Sequence, residues 1–220
     1  MKEVIVKTPI DYHQFIMEHW KSDYIYRGED SNNYKLIPKI GRDILLDKKN
    51  NIESENNLLK EFYKISLPYI QIVPENAWER LALAQHHGLH TRFLDWSKNP
   101  LVAAYFAIKS MNTNDAVVYC FKTKDLSFVY EKIMSPYNVK NTTLYNPRHI
   151  SNRIIAQAGI FTFHPNPTEE FSVPSLEKII IPRENKSEMY GMLYSYNINE
   201  STLFPDLDGI ARYLNQVCLF

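Results

Sequence analysis

The chain has 220 residues, 25 basic and 25 acidic, with 45% apolar residues, 15 tyrosines and 11 phenylalanines. A chain of this length buries a core without staples. Its balanced charge argues against a generic nucleic-acid binder, leaving only a local basic patch open. No window approaches 18 consecutive apolar residues, so no membrane-spanning helix is expected.

In chain order, the N-terminus lacks a cleavage-site pattern, and no signal peptide is expected. "TPIDYHQFIMEHW" places Ile10, Phe15, Ile16 and Trp20 at helical spacing and predicts a helix over 9–20. "DYIYRGED" predicts a short strand running into a turn. Residues 29–51 read as loop or short helix. "NIESENNLLKEFYKISLPYI" is a helix pattern, and "PENAWERLALAQHHG" predicts a helix opened by Pro74 and stopped by Gly88. "TRFLDWS" is extended or looped. "NPLVAAYFAIKSM" predicts a helix capped by Asn99 or Ser97, with Pro100 in its first turn. Strand character then takes over in "DAVVYCFKT", "RIIAQAGIFTFHP" and "LEKIIIPR". "NKSEMYGMLYSYNI" reads as a helix weakened by Gly191, and a turn at Pro205 precedes a closing helix. Helices thus lead the first half and strands the second, which predicts an α+β fold in one domain over 1–220. Cys120 and Cys218 form no framework and point to reduced thiols in a cytoplasmic protein.

Four segments carry unusual polar residues. "AQHHGLHTR" holds His86, His87 and His90, but Gly88 interrupts the helix between them and no cysteine is near, so no metal site is expected. The plainer reading has Gln85 and His86 finishing the helix with core hydrogen bonds. In "TRFLDWS", Asp95 stands among apolar neighbours, and an isolated buried charge is costly. It is expected to be buried and bonded to Arg92, to a backbone donor of the next helix or to a histidine, or else to floor a ligand pocket. Arg27-Gly28 ends a strand, where a guanidinium fork suits an anion and glycine admits a close ligand. Arg27 would equally be a surface arginine beside Glu29 and Asp30. Gln157 interrupts an apolar strand and bonds either a ligand or a core backbone group. The sparse glycines and these polar residues lead us to expect Arg27, the 85–97 block and Gln157 at one cleft. Phosphate-loop, dinucleotide-fingerprint, nucleophile-elbow and H-E-x-x-H motifs are all missing.

Together, "YRG" at Tyr26-Arg27-Gly28, "AQHHGLHTRFLDWSKNPLVAAYFA" and "RIIAQAGIFTFHP" resemble the FRG domain family. The ordered motifs span 24–165, and "LFPDLDGIARYL", within a C-terminal helical segment over 185–220, is similar to the family's end. The resemblance implies an ADP-ribosyltransferase-like α+β fold, its helical N-terminal half packed on a mostly antiparallel sheet. It implies NAD as substrate and transfer of ADP-ribose to a protein or nucleic-acid acceptor. A toxin–antitoxin or antiphage setting is implied with it, with an antitoxin or inhibitor as partner. Arg27, Ser97 and Gln157 would be catalytic. Tyr26, Arg27, Gly28, Gln85, His86, His87, Arg92 and Asp95 would bind NAD, with Arg27 on the adenosine ribose or a phosphate and Gly28 on the nicotinamide amide. Loss of Arg27 would then remove activity and leave the fold intact. Transferases of this kind carry a glutamate where Gln157 stands. Gln157 would orient the ribose without charge, Asp95 or Asp206 would serve instead, or the domain is a non-catalytic binding or interaction module. A histidine-based metal hydrolase is the remaining alternative.

Overall fold

The structure, a computed structural model, describes residues 1–20, 23–42, 52–130, 134–148 and 151–217. The stretch 43–51 of the expected loop, Cys218 and the last residues of the C-terminal segment lie outside them. Helix α1 (Pro9–His19) opens on a capping box: Thr8 Oγ1 accepts from the Asp11 amide and Asp11 Oδ2 accepts from the Thr8 amide, at 3.2 and 2.9 Å. Helix α2 (Lys39–Arg42) is a single turn, and α3 (Ile52–Ser66) ends in a 3-10 turn over Leu67–Tyr69. Helix α4 (Ala77–His86) is capped by Asn76, whose Oδ1 accepts from the Glu79 amide, so Pro74 lies outside it; Gly88, at φ 87°, follows its end. Helix α5 (Pro100–Ile108) is capped by Asn99, as expected.

Among the described residues, seven strands form one sheet in the order β1-β7-β4-β2-β3-β6-β5. They are β1 (Lys2–Ile5), β2 (Tyr24–Glu29), β3 (Phe93–Ser97), β4 (Ala116–Lys122), β5 (Thr143–Tyr145), β6 (Gly159–Phe163) and β7 (Glu177–Ile181). All pairings are antiparallel except β1 with β7. The fold is α+β, but the division into a helical first half and a strand second half needs correcting. Strands β1–β3 precede residue 100, and α7 (Lys186–Ser195), α8 (Glu200–Leu203) and α9 (Leu207–Val217) close the chain. The stretch expected as one strand, "RIIAQAGIF", is also split. Ser151 Oγ caps α6 (Asn152–Ala156), Gln157 ends it, Ala158 turns at φ 47°, and only then does β6 begin.

Side-chain alternation sorts the core into three parts. Tyr26, Val118, Cys120, Ile179 and Ile181 face α1, α5 and α7. Tyr26 lies opposite Ser97, so Phe93, on the same face as Ser97, continues that face; with Phe161 and Phe163 it packs under Trp78 and Leu81 of α4. Ile25, Leu94, Trp96, Tyr119 and Phe121 line the reverse face with Leu36 and Phe171. The first face therefore carries two separate helical covers, and a seam runs between them.

Candidate functional site

The seam lies where the sheet opens. Strands β2 and β3 share a single pair, Tyr26 with Ser97. The rung that would follow, Gly28 with Asp95, is absent. A cleft of ≈ 540 Å³ occupies the gap, within the roughly 300–1,000 Å³ usual for small-molecule sites. Val102, Ala103, Phe106 and Lys109 of α5 and its end form one wall, and Gln85, His86 and Gly88 at the end of α4 form the other. Arg153, Gln157 and Phe204 close one side, and Asp95 and Phe161 lie at the base. Arg27, Gln85, His86, Asp95, Ser97 and Gln157, far apart in the chain, all line this one cleft.

Arg27 takes the place of the missing rung. Its Nη1 donates to the Asp95 carbonyl at 2.7 Å, while Nε and Nη2 donate to one oxygen of Glu29 at 3.0 and 2.7 Å. Burial alone would weaken its hold on a proton, but Glu29 and Asp95 outweigh that and hold the guanidinium charged. The edge expected to grip a phosphate is thus filled by the protein itself. Gly28 also serves packing. A Cβ there would stand 2.0 Å from the Ala103 carbonyl oxygen, so α5, and not a ligand, makes the close approach.

Asp95 departs from its expected burial. Its side chain is 54% exposed to the cleft, and its Oδ2 accepts from Gln85 Nε2 at 2.6 Å. Gln85 Oε1 in turn accepts from Thr91, which fixes the amide. The cleft walls raise the Asp95 carboxyl above the ordinary range, with Arg27 and Gln85 pulling the other way. Arg92, one of the three partners expected for Asp95, points elsewhere. It is buried in a two-point pair with Glu55 of α3, both contacts 2.7 Å, and also donates to the Pro165 carbonyl. It does not line the cleft. Arg92 became the anchor of α3 because a buried guanidinium must find a carboxylate wherever the fold supplies one.

Ser97 and Gln157 reach the cleft with their side chains engaged. Ser97 Oγ donates to the Gln157 carbonyl at 2.7 Å and accepts from the Asn99 amide at 2.9 Å. Gln157 Nε2 donates to the Leu203 carbonyl at 3.0 Å. Tyr26 is buried in the core, its ring 6.4 Å from that of Tyr24. His86 has a buried Nε2 without a hydrogen-bond partner, and burial first, then His87 and Arg153, lower its pKa to about 4. His87 is exposed beside it, the two rings perpendicular at 5.5 Å. Among the described residues no three His, Cys, Asp or Glu side chains converge as a metal group. Asp206, the other candidate acid, accepts from Arg153 Nε at 2.7 Å and from the Gly209 amide at 2.8 Å. Sequence reasoning missed Lys39, Phe106, Lys109, Phe161, Arg153 and Phe204. Phe106, Arg153, Phe161 and Phe204 lie inside the quoted family motifs without having been singled out, and Lys39 and Lys109 lie outside them.

No described helix is long and apolar enough to cross a membrane. The FRG domain family model matches residues 22–116, which include Arg27, Gln85, His86, Asp95 and Ser97 but not Arg153, Gln157 or Phe204. No curated protein and no solved structure matches the chain.

Proposed function

The chain carries an FRG domain, and from that premise we propose that it is an NAD-dependent ADP-ribosyltransferase with its reaction centred on Asp95. The observation that carries this reading is a carboxylate open at the base of a cleft lined by Phe106, Phe161 and Phe204 and by the cations Lys39, Lys109 and Arg153. Aromatic faces suit the two bases of a dinucleotide, and the cations suit its phosphates. In the reaction the C1′–nitrogen bond of NAD breaks, and its electron pair leaves on neutral nicotinamide. The acceptor atom bonds C1′ and gives up a proton. Positive charge that builds on the ribose needs a fixed negative partner, and Asp95, oriented by Gln85, is more open to solvent than Glu29 and Asp30, the other carboxylates that line the cleft. Arg27 acts by fixing the carbonyl and main chain of Asp95. A toxin or antiphage role in the cytoplasm, with an inhibitor protein as partner and a protein or nucleic-acid acceptor, belongs to the same proposal.

The competing reading is a non-catalytic binding module of the same fold. It is favoured by Ser97 and Gln157, whose side chains are spent on main-chain bonds. The test is incubation of the pure protein with NAD labelled in the adenylate, lysate proteins and RNA, with nicotinamide release followed in parallel. Nicotinamide release and label transfer that vanish in Asp95→Asn, at unchanged melting temperature, support the transferase. NAD bound equally by both proteins and never consumed supports the module. Wild type that neither binds nor consumes NAD overturns the proposal.

A further inference from the structure

Phe204, at the edge of the cleft, stands inside a ring of cations. Lys109 Nζ lies 5.4 Å from the ring centroid, Arg153 Cζ 5.3 Å and Arg212 Cζ 5.2 Å, and Phe106 packs edge-on at 6.0 Å. Each cation gains from the ring's π face, but the three repel one another. Two are matched by carboxylates. Arg153 holds Asp206 at 2.7 Å, and Arg212 Nε holds Glu200 at 2.6 Å. Lys109 forms no ion pair among the described residues and lies instead over Phe106 and Phe204, at 5.1 and 5.4 Å. Burial lowers its pKa; Glu200 and Asp30 oppose the shift, and Arg212 and Lys39 add to it. The ring thus carries one uncompensated positive charge facing the cleft.

The segment that presents the ring is held from behind. Gln157 Nε2 grips the Leu203 carbonyl, Arg153 grips Asp206, and Arg212 ties α9 to Glu200 at the start of α8. Arg27, by contrast, already has its fork on Glu29. A phosphate entering the cleft therefore meets cations that are free among the described residues at Lys109 and Lys39, not at Arg27, and of these two Lys109 is the one that shares the Phe204 ring with Arg153. We infer that Lys109, Arg153 and Phe204 form a phosphate subsite, which takes the diphosphate of a nucleoside diphosphate. Gln157 is a positioning residue of this subsite and does not itself touch the ligand. The inference rests on the transferase reading only in taking NAD as the natural bearer of that diphosphate.

The test uses ADP and adenosine as probes in calorimetry, at low and high salt, on wild type, Lys109→Gln, Lys109→Arg and Phe204→Leu. ADP is expected to bind more tightly than adenosine. Lys109→Gln is expected to weaken ADP about tenfold, or about 1.4 kcal/mol, to leave adenosine unchanged and to flatten the salt dependence. Lys109→Arg keeps the charge and is expected to restore most of the loss. Phe204→Leu removes the ring that gathers the cations and is expected to weaken ADP with its melting temperature held. Equal affinity for ADP and adenosine, no binding of ADP, or a Lys109→Gln protein that binds ADP like wild type overturns the subsite. Two outcomes separate it from the transferase. NAD consumed with the same KM by wild type and Lys109→Gln sinks the subsite alone. Lys109-dependent binding of ADP without binding or consumption of NAD sinks the transferase alone.

Discussion

Arg27 joins two strands that otherwise share one pair, and its side chain is only 15% exposed. Removing it strips the Asp95 carbonyl of a donor and leaves Glu29 with Arg42, 3.5 Å away, as its remaining cation. A hydrogen bond to a charged group contributes roughly 1.5–3 kcal/mol. Arg27→Ala is therefore expected to lower stability by about that amount, read as a shifted urea midpoint, whereas an arginine kept only for a ligand would leave the midpoint unmoved. Arg27→Lys has a single nitrogen and cannot reach Glu29 and the Asp95 carbonyl together, so it should recover only part of the loss. Asp95 behaves in the opposite way. It is half open, and its side chain is held by Gln85 at 2.6 Å and by a looser ion pair to Arg27 at 3.7 Å, contacts that an amide of the same shape largely keeps, so Asp95→Asn is expected to keep the fold.

At the scale of elements, α5 lies so close on β2 that Gly28 has no substitute. An alanine Cβ would fall 2.0 Å from the Ala103 oxygen and 2.5 Å from the Ala107 nitrogen, both main chain, and no rotamer relieves that. Gly28→Ala is expected to cost at least the roughly 1–3 kcal/mol of an overpacked core, measured by thermal melting, and to narrow or misplace the cleft wall that α5 provides. Two helix starts were legible from local signals, Pro9 at α1 and Asn99 before Pro100 at α5, whereas the equally local Asn76 with Glu79 was passed over for Pro74. Strands β1 and β5 were not, since four and three residues carry too little pattern and their pairing is decided by distant partners. The run Ile154-Ile155 reads as strand by composition, yet the Ser151 cap made it helix, and Gln157 moved from a strand to a helix end with it. The cleft was half legible. Polar residues in apolar surroundings, Gln85, Asp95 and Gln157, announced themselves. Lys109, Arg153 and Phe204 are ordinary on a helix or turn and acquire meaning only when α5, α6 and the segment after α8 meet.

For the molecule as a whole, histidines held neutral shape its response to acid, His164 and His86 most, with burial lowering the pKa of His87 as well. Burial first, and Arg27 next, lower the pKa of His164 to about 3, and that of His86 lies at about 4, against an ordinary 6.5. Between those values and 6.5 the unfolded chain binds protons that the native protein refuses. Stability therefore falls as pH drops below about 6.5, by up to about 1.36 kcal/mol per pH unit for each histidine. The loss from His86 levels off near pH 4, and that from His164 near pH 3. Urea midpoints at pH 7, 6 and 5 read the slope, and His86→Gln is expected to reduce it by one proton's share. A midpoint that stays flat over this range would remove His86 and His164 from the account.

The parallel pairing of β1 with β7 sets a timetable for assembly. Lys2 aligns with Glu177 and Ile5 with Ile180, so a strand near the start of the chain finds its partner only after some 175 intervening residues have been made. On a ribosome adding roughly 5–20 residues per second, residues 2–5 wait unpaired for about ten seconds or more. Contacts of such long range also slow folding, because the loop must close before the pairing contributes. The opposite half of the sheet, β3 with β6 and β5, is complete once residue 163 has emerged, so the last edge to zip is the one farthest from the cleft.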